Sequence, residues 1–413
     1  MKRNDVLLMA VAWAGLIVGA AAWAHAPVID ESVFVDGLRA NERERVLYIW
    51  TRDADGEESD FLSVVDVDPE SPTYGTIISR AETGSSGNEA HHFGYTRDAQ
   101  RIFGGGLFSN RLFIYDVRTD ARRPRLVRTV NLDVTGYSGP HTLYAVPDGM
   151  LIAMLGQLDG DGPSGIIKVD DEGRFVEAYP AQAGHDGAPI YMYDLGVKPE
   201  MNLMVSSSWA HPDHARLPGG VPSEHTGSEV VVWDWTTKRI RQVETLDRAP
   251  LEVRWLHGPG AEASGGFINC ASGGTVWYWE DADGDGSLEF YRVLRLERGA
   301  VPADLRISYD NRFLYVTLWG QDRVQQYDIS DRRRPRLVSE VSVPQPNMMK
   351  LSPDSRRLYV TNSMLSTVDG DEVEFGVWLI HTGPDGMRLD AAFSPDFMGL
   401  PTGPAGPHDM LLK

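Results

Sequence analysis

The stretch Asn110–Val130, NRLFIYDVRTDARRPRLVRTV, returns as Asp322–Val341, DRVQQYDISDRRRPRLVSEV. Each copy is a short strand ending in an acid, Asp116 or Asp328, then a turn rich in arginine with one proline, then a second strand. Self-similarity across two hundred residues marks a duplicated structural unit. The same apolar strand closing on an acid, or its equivalent, recurs at Asp66, Asp116, Asp170, Asp234, Glu280, Asp328 and, more loosely, His381. The spacings are 50, 54, 64, 46, 48 and 53 residues. Seven units near this length, each with several period-two strands punctuated by Gly and Pro, predict an all-β, seven-bladed β-propeller of four-stranded blades. WD40 signatures are absent, and the repeat is slightly long for them.

Upstream of each marked strand lies a second strand, as at Arg101–Gly106, Leu151–Leu155, Leu203–Ser207, Gly266–Cys270, Arg312–Leu318 and Arg357–Thr361. Further upstream an innermost strand begins near His91, His141, Pro189, Glu252, Asp304 and Asn347. Only six inner strands are found this way. The marked strand Phe61–Val67 is preceded by Val46–Thr51 but by no inner strand, whereas Gly406-Pro407-His408-Asp409-Met410 at the carboxyl end resembles Gly139-Pro140-His141-Thr142-Leu143. The C-terminal strand is therefore expected to join the first blade, closing the ring and covering an open edge. The propeller spans 46–413, with 27–45 an amino-terminal extension.

Closure carries a chemical consequence. His408, the pair His91 and His92, and His141 come to equivalent inner-strand starts on three consecutive blades, converging on one mouth of the channel. Imidazole clusters without cysteine favour copper by intrinsic affinity. Because side chains alternate along a strand, His91 and His92 both point inward only if the strand start is irregular. Otherwise one of them is an outer partner, bonded to a ligand or to Glu89. A single histidine at such a place ordinarily just bonds the neighbouring blade, so the expectation rests on all four together. The 64-residue spacing reflects an insertion, Trp209–Ser228, on the same face; it carries His211, His214 and His225 as a lid or outer shell. His257 lies near the opposite face. Glu252, Asp304 and Asn347 line the far side of the channel.

A second metal signal is Asp281-Ala282-Asp283-Gly284-Asp285-Gly286-Ser287-Leu288-Glu289. Its alternating carboxylates suit a structural calcium ion on Asp281, Asp283, Asp285 and Glu289, although the twelfth position of an EF-hand would be Arg292. The loop joins the third and fourth strands of its blade, away from the histidines. A plain acidic hairpin is the alternative.

The 413 residues hold a single cysteine, Cys270, which excludes disulfides within the chain and multi-cysteine metal sites. Its apolar surroundings read as a buried, inert thiol. A formal charge of −20 with no basic run excludes nucleic acid as a partner. At the amino terminus Lys2 and Arg3 precede the apolar run Val6–Ala24. This is an export signal over residues 1–24, with cleavage after Ala24 or Ala26. It implies a periplasmic protein with no membrane contact once the leader is removed, the alternative being a retained anchor.

Several stretches then carry a resemblance: DFLSVVDVDPESPTYG (Asp60–Gly75), HHFGYT (His91–Thr96), SGPHT (Ser138–Thr142), PLEVRWLHGP (Pro250–Pro259), QYDISDRRRPRL (Gln326–Leu337) and MMKLSPDSRRLYVTNS (Met348–Ser363). Together they resemble the selenium-binding protein/methanethiol oxidase family from about Leu47 onward. The resemblance implies a propeller oxidase that is, in bacteria, periplasmic and copper-dependent. It would take a small thiol substrate and O2, converting methanethiol, O2 and water to formaldehyde, hydrogen sulfide and hydrogen peroxide. It also implies His91, His92, His141 and His408 as copper ligands. Where animal members carry a cysteine discussed for selenium attachment, this chain has Gly75. Two other classes stay open: a non-catalytic metal- or selenium-binding propeller, and a calcium-dependent hydrolase of the lactonase type using Glu252, Asp304 and Asn347.

Overall fold

The computed structural model describes residues 34–39, 41–159, 164–181 and 190–413. The leader and the expected strand start at Pro189 lie outside these residues. Seven four-stranded antiparallel sheets follow one another around a ring. In six of them the strands run in sequence order from the axis outward. Blade 1 is the exception: its inner strand is Ala405–Leu412, paired with Val46–Asp53, followed by Phe61–Asp66 and Ile77–Glu82. The backbone of Lys413 exchanges hydrogen bonds with Val46, so the last residue lies beside the first strand of the propeller.

The inner strands of blades 2 to 7 are Ala90–Tyr95, Tyr137–Val146, Met192–Lys198, Pro250–Trp255, Pro302–Ile307 and Met349–Leu351. Apolar side chains between adjacent sheets form the core in sectors. Trp50 of blade 1, for example, meets Phe93, Phe113 and Tyr115 of blade 2, and its indole N–H donates to Gly105 O at 2.8 Å.

The repeated motif has a mechanical meaning. The aspartate that ends the third strand of a blade caps the following turn: Asp116 accepts from the N–H of Arg118 and Thr119, Asp234 from Thr237, and Asp328 from Ser330. Arginines of the RRP segments reach back one blade, Arg122 to Asp66 at 2.6 Å and Arg333 to Glu280. Acid and arginine thus strap consecutive blades together.

Against the opposing effect of burial, Ser71, Thr73 and Arg122 hold Asp66 down at about 2. Turn hydrogen bonds hold Asp116, Asp234 and Asp328 below the usual range as well. A carboxylate with a depressed folded pKa stabilises the fold above its unfolded value near 4, and that contribution is lost as pH falls through the folded value. The urea midpoint is therefore expected to drop between about pH 4 and pH 2, and Asp66→Asn to flatten part of that slope. An unchanged slope in the variant would contradict the strap.

The extension also has a place. A two-residue turn at Asp36-Gly37 joins Phe34–Val35 to Leu38–Arg39, both turn residues having positive φ, the geometry that Asp-Gly favours in hairpins. Its tip sits at the far mouth of the channel, where Asp36 pairs with Lys350 at 2.7 Å and accepts from the N–H of Leu412. Glu44, fully buried, then binds Arg357 through both carboxylate oxygens and accepts from the Tyr359 hydroxyl.

Candidate metal centre

The inner strands share one irregularity. Between Ala90 and Phe93, Pro140 and Leu143, Met192 and Leu195, Pro250 and Val253, and Pro302 and Leu305, the register against the second strand shifts. The closing strand shifts in the same way between Pro407 and Met410. At each bulge two residues stand where the partner strand offers one, which breaks the alternation of side chains. This is why His91 and His92 both join the cluster.

Two layers follow from the bulges. The first residues of the pairs are His408, His91, His141, Tyr193, Leu251 and Ala303 in blades 1 to 6, with Asn347 at the matching place in blade 7. The second residues include Asp409, His92, Asp194, Glu252 and Asp304. The upper layer is therefore imidazole on one side and largely apolar on the other. The lower layer is rich in carboxylates.

The four imidazoles meet at close range. Ring centroids lie 3.7 Å apart for His91 and His408, 4.1 Å for His92 and His141, and 4.9 Å for His91 and His141. Ligand nitrogens of His91, His92 and His141 all fall within 4.8 Å of one another. His92 Nδ1 donates to Asp409 Oδ2 at 3.1 Å and His408 Nδ1 to Ser363 O at 2.8 Å, leaving each Nε2 as the free acceptor. His91 Nδ1 and the Nε2 atoms of His92, His141 and His408 are buried without a hydrogen-bond partner. Four orphaned imidazole nitrogens in one buried cluster are a costly arrangement that a bound metal ion would resolve. The donor set, all nitrogen with no thiolate, fits copper.

Charge is tuned to the same end on three of the four rings. Burial, then the neighbouring rings, pushes His91 and His141 well below the usual imidazole range, and His408 to about 3. Burial opposes protonation of His92 too, but the Asp409 carboxylate outweighs it and raises that ring. Asp409 is in turn held well below the usual range by His92, against its own burial.

Beyond the histidines the lower layer is stitched blade to blade. Asp194 accepts from the N–H of Val253, and Asp304 from that of Met349. Arg254 bridges Asp194 at 2.6 Å, Glu252, and Asp304 at 3.3 Å. A guanidinium thus already neutralises these carboxylates, leaving them ill suited to a calcium ion for hydrolase chemistry, and the Asn347 amide donates to Ser363 O. The lactonase-type reading of Glu252, Asp304 and Asn347 fails on this geometry. Below, a cavity of about 590 Å³ runs past His92, Asp409 and Arg254 to His257 and Asp36 at the far mouth.

Over the histidines the channel is closed. The insertion contributes Trp209, which packs on Tyr193, whose ring in turn lies 3.7 Å from that of His141. A second cover is the long connection after Arg357–Thr361 in blade 7. Its Leu365 joins Leu107, Leu155, Tyr193 and Leu251 in an apolar cluster drawn from five blades. Thr367 bonds to Ala215 and Gly219 of the insertion, so the two covers are joined.

The remaining expected residues are distributed as follows. Glu89 accepts from Ser366 and faces Arg52 at 3.8 Å, anchoring the second cover instead of touching an imidazole. His211, His214 and His225 form their own chain within the insertion, with His214 and His225 rings 4.5 Å apart. Asp281, Asp283 and Asp285 come within 4.8 Å of one another, and Glu289 stays outside that trio with Oε2 3.3 Å from Ala282 N. Cys270 is buried, and burial pushes its thiol up. His257 bonds to Ile307 O at the far end of the channel.

Residues 35–345 match the family model of the 56 kDa selenium-binding protein. The chain belongs to this family. A methanethiol oxidase of Danio rerio is 32% identical, over 89% of this chain and 92% of its own length. One of Hyphomicrobium sp. is 31% identical, over 88% and 86%. Among solved structures, a hypothetical selenium-binding protein of Sulfolobus tokodaii superposes with a TM-score of 0.83 at 27% identity, covering 93% of this chain and 97% of that one. A periplasmic gluconolactonase of Pseudomonas aeruginosa, at 14% identity and a TM-score of 0.62 over 89% and 98% of the two chains, shares the fold alone.

Proposed function

We propose that this protein is an exported, periplasmic, copper-dependent methanethiol oxidase, converting methanethiol, O2 and water to formaldehyde, hydrogen sulfide and hydrogen peroxide. The observation that carries the reading is the cluster of four orphaned imidazole nitrogens on His91, His92, His141 and His408, facing an apolar half-ring. The names of the 29–32% identical relatives support the substrate class. The apolar leader supports export.

Copper bound to these rings would supply a thiophilic, redox-active centre. The chain supplies the rest. Burial keeps His91, His141 and His408 neutral, with lone pairs available at physiological pH. Asp409 fixes the tautomer and orientation of His92 through its Nδ1 proton. Leu251 and Leu365, packed with the Tyr193 ring that backs His141, would offer an alkyl group apolar contact, so that a small thiol would bind with its sulfur toward the imidazoles. The joined covers exclude bulk water from that side. The cavity below, which reaches Asp409, Glu252 and Arg254, leaves a path for water and small polar products.

The test is to purify the exported protein, measure its metals, and follow O2 uptake with peroxide and sulfide release on adding methanethiol. Bound metal without thiol-dependent peroxide would instead favour the non-catalytic, metal- or selenium-binding reading. The apolar wall makes its own prediction. Leu251→Ala is expected to shift kcat/KM toward 1-propanethiol relative to methanethiol by about tenfold, the scale of one or two methylenes in an apolar pocket. An unchanged ratio places the alkyl group elsewhere.

A further inference from the structure

The hairpin tip between Val46–Asp53 and Phe61–Asp66 in blade 1 reads Asp53-Ala54-Asp55-Gly56-Glu57-Glu58. Carboxylate oxygens of Asp53, Asp55 and Glu58 lie within 4.8 Å of one another. Asp53 is only 4% exposed, and its Oδ1 is buried without a hydrogen-bond partner, while Oδ2 accepts from the N–H of Glu58. Among the described residues no lysine or arginine pairs with these three acids. Arg52 beside them is committed to Asp369 at 2.8 Å and to the carbonyls of Asp53 and Ala54.

The other acidic hairpin shares such turn bonds, as Asp55 accepts from the N–H of Glu57, but it differs in its buried oxygens. Asp281 accepts from the N–H groups of Gly284 and Gly286, Asp283 from Asp285 and Asp285 from Ser287. None of its carboxylates leaves a buried oxygen bare. A bare, buried oxygen on one of three carboxylates that lie this close together is the feature that calls for a cation.

We propose that Asp53, Asp55 and Glu58 bind a calcium ion, with water completing the coordination. Oxygen-only donors select a hard cation. Oxygens up to 4.8 Å apart span an ion with bonds of about 2.4 Å, which suits Ca²⁺ better than the tighter octahedron of Mg²⁺. Two of the three ligands are exposed, leaving the outer side open to water. Without an ion, burial and the adjoining Asp55 push Asp53 up to about 6, an electrostatic cost that a dication removes.

The site is wired to the metal centre. Asp60, at the end of the same loop, accepts from the N–H of Asp53 and from that of Ala90, each at 3.1 Å. Ala90 immediately precedes His91. Calcium at the tip would therefore brace the strand start that carries His91 and His92. The inference stands apart from the oxidase reading, because it concerns stability and calcium binding alone.

The test uses the full-length exported protein, stripped of metal, with CaCl2 as the probe at neutral pH. Calcium is expected to raise the unfolding temperature saturably in the wild type and in Asp281→Asn. The rise is expected to shrink in Asp53→Asn and in the exposed variants Asp55→Asn and Glu58→Gln, and calorimetric titration to lose one Ca²⁺ in each. An equal calcium response in wild type and Asp55→Asn overturns the proposal. So does an Asp53→Asn protein whose unfolding temperature exceeds that of the wild type by the same amount with and without calcium, which would mean that the acids merely share a proton.

Discussion

Replacing His141 by alanine is expected to abolish copper retention and to lower methanethiol-dependent O2 uptake by more than about 100-fold. Loss of a group that only supports a metal ligand costs about 10–100-fold, and loss of a ligand costs more. His141 is the ring that ties the cluster together from blade 3. Its centroid lies 4.1 Å from that of His92 and 4.9 Å from that of His91, and Tyr193 backs it at 3.7 Å. Truncation leaves the other three rings on two blades only, with a gap in the upper layer. That gap is the size of an imidazole, so added imidazole is expected to restore part of the copper content and activity. His225→Ala, at an exposed residue of the insertion, is the matched control and should retain both. If His141→Ala keeps its copper while losing only thermal stability, the cluster is a packing device and the oxidase assignment falls with it.

Much of this arrangement is legible in the residues, and the reasons differ by element. The acids from Asp66 to Asp328 are visible because a turn cap must sit at a fixed distance after a strand. The closing strand is visible because Pro407-His408-Asp409 resembles Pro140-His141-Thr142. Alternation alone argues that one of His91 and His92 turns away; the bulge overrules it. A signal for that bulge exists, since Pro140, Pro250, Pro302, Pro346 and Pro407 all stand just before the paired residues. Proline, lacking an N–H, is tolerated where a strand starts or its ladder breaks.

The cover over the histidines is not legible. Leu107, Leu155, Leu251 and Leu365 come from four blades and meet only near the axis. Each is an isolated apolar residue in its own segment, and nothing local sets their convergence. The length of the connection after Thr361 is the sole hint, and length says nothing of direction. The same holds for Arg254, whose role appears only when Asp194 and Asp304 arrive from neighbouring blades. Asp36-Gly37 is the opposite case, a hairpin signal readable from two residues whose destination at the channel mouth is a tertiary matter.

Deleting Ala405–Lys413 is expected to leave a protein that does not fold, and the size of the effect follows from what the strand buries. Met410, Leu411 and Leu412 are at most 5% exposed. At about 1.5–3 kcal/mol for each buried side chain, their loss alone removes roughly 5–9 kcal/mol. Whole-protein stabilities are about 5–15 kcal/mol, so little margin is left. The deletion also strips Val46–Asp53 of its pairing partner and bares a long apolar edge in the middle of the ring, a template for aggregation. His408→Ala separates closure from chemistry. It removes one imidazole and leaves the backbone ladder to Val46–Asp53 intact, so it should fold with a near-native circular dichroism spectrum and lose copper. Soluble, cooperatively unfolding protein from the deletion would mean that blade 1 stands on three strands. The last strand would then be a carrier of His408 and Asp409 and not the clasp of the ring.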